Sequence, residues 1–118
     1  MEQPRVEDRG SHLEISLSAR GFGQANFVDI LAAASKRFGP KPILVICTDP
    51  GDEIGTARAY DVGVELAAKL PFSRIAIALT RRKSSTVDRF TELVAENRGA
   101  VVRYFESVEQ ARSWLGAS

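Results

Sequence analysis

One cysteine, one histidine and one tryptophan are all that this 118-residue chain holds of the residues most often tied to redox, metal and stacking chemistry. A lone Cys47 cannot form an internal disulfide, which agrees with a reducing compartment. It ends an apolar run and reads most simply as a small buried hydrophobe. His12, expected to stand exposed at a strand start near the turn, has no His or Cys companion nearby in sequence, so it is a poor metal ligand. A Cys47–His12 pair would need the fold to bring the two together. No sign of charge predominates: 16 basic and 15 acidic residues leave a net +1. No overall field then draws the chain to nucleic acid, and no nucleic-acid partner is expected. No apolar run approaches the roughly 18–20 residues that span a bilayer. The start, MEQPRVEDRG, lacks the apolar centre of a secretory signal, so a cytoplasmic location is expected. Gly21 and Gly23 are followed by no glycine until Gly39, so no GxGxxG dinucleotide loop exists, and there is no GxSxG elbow, Walker loop or HExxH. No cofactor and no metal are implied.

What is present is regular. An apolar share of 44% and a charged share of 26% describe an ordinary globule. The length suits one domain over residues 1–118, with the polar first ten either flexible or a short edge strand. HLEISLSA alternates Leu13, Ile15 and Leu17 with polar residues, a strand with one wet face. From about Gln24 to Phe38, Phe27, Ile30, Leu31, Ala34 and Phe38 form a helical stripe that Gly39-Pro40 stops. ILVIC (Ile43 to Cys47) and RIAIALT (Arg74 to Thr80) are apolar on both faces, as central parallel strands are. A helix from about Thr56 to Leu70 separates them. Another runs from Ser85 to Asn97, with Ser85 as its N-cap. AVVRYF follows as a strand expected to be buried at Val101, Val102, Tyr104 and Phe105, and a last helix begins at Ser107 with Gln110 in capping-box position. The order is β-β-α-β-α-β-α-β-α, an α/β domain with about five strands in a mostly parallel sheet, four helices and right-handed crossovers.

Two runs carry a resemblance. RAYDVGVELAAKLPFSRIAIAL, followed by DRFTELVAENRGAVVRYFESVEQARSWL, resembles the SpoIIAA-like branch of the STAS superfamily, over about Arg58 to Leu115. The resemblance implies a strand-helix superhelix with strands in sequential order. It also implies a small bacterial cytoplasmic protein with a regulatory or binding role, structurally related to CRAL-TRIO lipid-binding domains. Two kinds of work follow from it: docking of a protein partner, as anti-sigma-factor antagonists do, or holding a small apolar ligand near a membrane. The antagonists' phosphorylated serine has no counterpart here, since the matching region, TDPGDEIGTARAY, offers only the hydroxyls of Thr48 and Thr56. Arg58, Tyr60 and Asp61 match the family's Arg-Tyr segment in part. Arg58 and Tyr60 either line a cleft near the helix start, or Tyr60 packs on the sheet with its hydroxyl at the rim.

In an open parallel sheet, ligands favour the carboxyl ends of the strands, where helix N-termini point. Residues 20–23, 48–56, 80–85 and 106–107 are expected to gather there. TRRKSST offers Arg81, Arg82 and Lys83 before a helix start that itself favours anions, with Ser85 as a further donor; the plain alternative is a solvated loop. DPGDE places Asp49, Asp52 and Glu53 close together. They lack EF-hand spacing, so a turn with a helix cap explains them better than Mg²⁺ or Ca²⁺. Phe22, between two glycines, either tucks under its loop or contacts a ligand or membrane. Trp114 shares a stripe with Val108, Ala111 and Leu115 and reads as a core anchor.

The expectation is a non-enzymatic binding or regulatory domain whose ligand edge comprises Phe22, Thr48, Asp49, Thr56, Arg58, Tyr60, Arg81, Arg82 and Ser85. An apolar gap between the second helix and the sheet would take a small lipid-like molecule, with the basic loop on its anionic end or on a membrane headgroup. The alternatives are a protein-interaction module modified at Thr56, and an enzyme using Asp49, Asp52 and Arg81 on a phosphorylated small molecule. The oligomeric state is open, and a homodimer is compatible with it.

Overall fold

The structure, a computed structural model, describes residues 5–17, 27–39, 41–47, 56–71, 73–79 and 86–116. Its elements are β1 (Arg5–Asp8), β2 (Leu13–Leu17), α1 (Phe27–Phe38), β3 (Ile43–Cys47), α2 (Thr56–Lys69), β4 (Arg74–Leu79), α3 (Thr86–Asn97), β5 (Val101–Phe105) and α4 (Val108–Gly116). This is the expected order. One mixed sheet holds the strands in sequential order β1-β2-β3-β4-β5, with β1 antiparallel to β2 and the other neighbours parallel.

Because each crossover steps to the next strand in the same direction and with one hand, α1, α2 and α3 must share one face of the sheet. Period-two side chains supply the floor of that layer: Leu13 and Ile15, Ile43 and Val45, Ile75 and Ile77, and Val102 and Tyr104. Val28 and Leu31 of α1, Val62 and Leu66 of α2, and Ala95 of α3 close on it, and all these residues are buried. The alternate residues of the same strands face α4. There Leu44, Ala76 and Ala78 meet Ala111 and Leu115, flanked by Ile46, Phe105, Val108 and Trp114. The two alanines of RIAIAL leave room for α4 to lie close to the sheet. Trp114 is half-buried: its ring packs 5.6 Å from that of Phe105, and the Arg74 guanidinium stacks 4.4 Å above it.

Gly39 and Gly99 adopt φ of 95° and 102°, the left-handed conformation expected of the residues that stop α1 and α3. After α3 the N–H of Ala100 bonds the Ala95 carbonyl at 3.0 Å and that of Gly99 bonds Glu96 at 3.2 Å, a Schellman closure. Ser107 caps α4 as expected, its Oγ accepting from the Gln110 N–H at 3.0 Å. Ser85 lies outside the described residues.

Two expectations need correction. The polar face of β2 is not wet: Glu14 is 5% exposed, since Arg112 reaches from α4 to cover it, and Ser16 is half-buried. The whole of β5 is not buried either. Only Val102 and Tyr104 are; Val101, Arg103 and Phe105 are half-exposed on the face that α4 covers in part.

Candidate functional site

At the carboxyl end of β5, between the first turns of α3 and α4, lies a groove of about 340 Å³. Arg89 of α3, Arg103, Tyr104 and Phe105 of β5, Glu106, and Gln110 of α4 line it. Its back wall is built on a buried acid. Glu92, 7% exposed, follows Asp88 by four residues on the inward face of α3. Its Oε2 accepts from the Tyr104 backbone N–H at 2.8 Å and from Arg89 Nη1 at 2.8 Å. One carboxylate thus satisfies an outward N–H of the edge strand and holds the first groove guanidinium. The second comes from Arg103, whose Nη1 donates to the Val102 carbonyl at 2.9 Å, with Nη2 lying 3.6 Å from Glu96.

A guanidinium fork matches the planar oxygens of a carboxylate or phosphate. Two of them on one groove, with the amide of Gln110 and the ring of Phe105, form a surface suited to a small anion. Glu106 at the rim opposes a second negative charge. The groove lies on the predicted edge of the sheet, and of the segments named from sequence for that edge Thr56, Glu106 and Ser107 fall within the described residues, with Glu106 lining the groove.

The nine expected ligand-edge residues divide as follows. Phe22, Thr48, Asp49, Arg81, Arg82 and Ser85 lie outside the described residues, as do Asp52 and Glu53. Thr56 and Arg58 stand in the first turn of α2, with their side chains outside the description. Tyr60 is described, and it is not in the groove. It lies on the outer surface between α2 and α3, its ring 6.4 Å from that of Phe90 and its hydroxyl accepting from Arg98 Nη2 at 3.0 Å. Sequence reasoning missed Arg89, Glu92 and Arg103. The signal available was Glu92 itself, an acid at a core position of the helical stripe, which must find a buried partner.

A second polar cluster sits at the opposite, amino end of the sheet. Glu14 receives Arg112 through both oxygens, at 2.9 and 3.0 Å, and His12 Nε2 at 2.9 Å, with Arg9 3.5 Å away. Since a carboxylate only accepts, Nε2 of His12 carries a proton and donates it, while Nδ1 lies 3.0 Å from Ser11 Oγ. The bonds from Arg112 lead in holding the Glu14 carboxyl down at about 2, against the opposing effect of burial. His12 is therefore a half-buried structural donor rather than an exposed side chain.

Register separates the lone cysteine from the lone histidine. Cys47 pairs with Leu17 at one end of the sheet, whereas His12 precedes Leu13 at the other, about 16 Å along the strands. Cys47 is itself fully buried. Among the described residues no group of three or more His, Cys, Asp or Glu side chains could hold a metal ion. Among them, too, no helix is long and apolar enough to cross a membrane.

Comparison of the chain with protein-family models, with curated proteins and with solved structures returns no match.

Proposed function

We propose that this chain is a cytoplasmic, non-enzymatic binding domain of the SpoIIAA-like, STAS-like kind, and that it takes a small anionic ligand at the β5–α4 groove. The observation that carries this reading is the pair of guanidiniums, Arg89 and Arg103, on a groove at the carboxyl edge of the sheet. The sequential sheet, wound with three helices on one face, agrees with the resemblance in the sequence.

The lipid-pocket version is the weaker of the two. An alkyl-sized void between α2 and the sheet would leave its walls open to a sphere the size of water. Leu66, Val45, Ile75 and Ile77 are each 0% exposed, and Val62 only 3%. An anionic headgroup or a free phosphate or carboxylate at the surface fits this packing better than an engulfed acyl chain.

Titration of the isotope-labelled protein with inorganic phosphate, with citrate and with phosphatidylglycerol vesicles, read by amide shifts, tests the proposal. Shifts at Arg89, Arg103 and Gln110, lost in Arg103→Gln, support it, and the three probes separate soluble anion from headgroup. Flat titrations with all three, together with no small molecule in native mass spectra of the purified protein, would sink it.

A further inference from the structure

Glu96 stands where a helix acid is least favoured. It lies in the last turn of α3, a turn without a basic residue, and the negative end of the helix dipole opposes a carboxylate there. Its side chain is 52% exposed, so no burial accounts for its place. Among the described residues its carboxylate has one partner, the Arg103 guanidinium, with Oε1 3.6 Å from Nη2. At that distance the two form an ion pair without a hydrogen bond.

Arg103 is correspondingly open. A guanidinium carries five N–H groups. One of them is used, from Nη1 to the Val102 carbonyl at 2.9 Å. The side chain is 33% exposed and lines the groove.

The other groove guanidinium is held in a different way. Arg89 bonds at 2.8 Å to Glu92, whose side chain is 9% exposed. The same Glu92 oxygen takes the Tyr104 N–H. Glu92 therefore cannot make way for an incoming anion without orphaning a buried backbone donor. Glu96 can, because water receives it and no hydrogen bond breaks.

We infer that Glu96 is the resident counter-ion of Arg103, a tethered competitor that an anion displaces on entering the groove. This rests on the anion reading of the groove and adds its regulation. When Glu96 swings into water, the Nη2 edge of Arg103 is released to the ligand. A carboxylate or phosphate then replaces a loose ion pair with charge-assisted hydrogen bonds from the fork. Affinity is the difference between the two contacts, and Glu96 sets the level that a ligand must exceed.

Titrations of the full chain with inorganic phosphate and with citrate, read by amide shifts, test this in three proteins. These are the parent, Glu96→Gln and Asp61→Asn, the last an equal change of charge at an exposed position on α2. Glu96→Gln should bind both probes about two- to fivefold more tightly at low salt, and high salt should shrink the gain. Asp61→Asn should bind as the parent does. In the anion-free protein, Glu96→Gln should also move the Arg103 Nε–H resonance, which reports the pair itself. Equal affinity in the parent and Glu96→Gln, or an equal gain in Asp61→Asn, overturns the competitor and leaves the groove standing. An unmoved Arg103 resonance does the same. No binding by any of the three proteins overturns the groove reading and this inference with it.

Discussion

Glu14 and Arg112, 98 residues apart, close on each other as a two-pronged ion pair, Nε to Oε2 at 2.9 Å and Nη2 to Oε1 at 3.0 Å. The pair ties the last helix to β2, across a sheet face on which α4 otherwise meets β3, β4 and β5. Its two members are unequally placed. The Glu14 side chain is 6% exposed and that of Arg112 is 49% exposed.

That inequality predicts an asymmetry between mutants. Glu14→Gln leaves a guanidinium that water can reach, and it should cost about 1–2 kcal/mol. Arg112→Ala strands a buried carboxylate with only His12 and Arg9 beside it, and it should cost about 2–4 kcal/mol. Urea denaturation of both variants checks the order. Equal losses would mean that the carboxylate finds water when Arg112 is gone.

Acid should act through the same group. The Glu14 carboxyl titrates at about 2 in the fold, against an ordinary 4.5. A depressed folded value contributes stability above the unfolded one and loses it as pH falls toward the folded one. The Glu14 contribution is therefore whole above about pH 5, declines below it and is gone near pH 2. Denaturation midpoints measured from pH 6 downward should fall less steeply in Glu14→Gln than in the parent chain. Parallel curves would remove Glu14 from the acid response.

Gly63→Ala offers a case where local and tertiary preferences oppose. Within a helix, alanine is better than glycine by about 1 kcal/mol. Here the added methyl would sit 2.9 Å from Val94 Cβ and 3.1 Å from the Thr91 carbonyl oxygen. The variant should lose about 1–3 kcal/mol in spite of its higher helix propensity. Thermal unfolding gives the sign, and an increase in midpoint would show that α2 and α3 can part without penalty.

Glu92 guards the free edge of the sheet, since it takes the outward N–H of Tyr104. Glu92→Ala should cost about 1–3 kcal/mol for the orphaned donor and leave the edge open to pairing with other chains. Amide exchange at Tyr104 should accelerate in this variant while exchange at Val45, deep in the sheet, follows global stability alone. Unchanged protection at Tyr104 would mean that another acceptor replaces the carboxylate.

The sequence by itself determined the element order. ILVIC and RIAIAL cannot be other than strands covered on both faces, because their apolar residues leave no side for water. Gly39 and Gly99 had to end helices, because the reversal requires a positive φ. Ser107 could be placed as a cap because capping depends on neighbours two and three residues away. Such signals are local, and short-range sterics and hydrogen bonding are enough to read them.

Tertiary structure alone decided where the charges go. Glu14 read as a solvent-facing residue of an alternating strand, and only the return of α4 over the second face buried it. Glu92 and Tyr104 are brought together by the crossover from α3 into β5, and no spacing rule links a helix acid to a strand amide. Arg89 and Arg103 converge on one groove for the same reason. Tyr60 appeared on a helix start that pointed to the ligand edge, yet its angle around α2 turned it outward onto Phe90 and Arg98. A charged side chain chooses its partner by distance and burial, and both are set by how the elements pack.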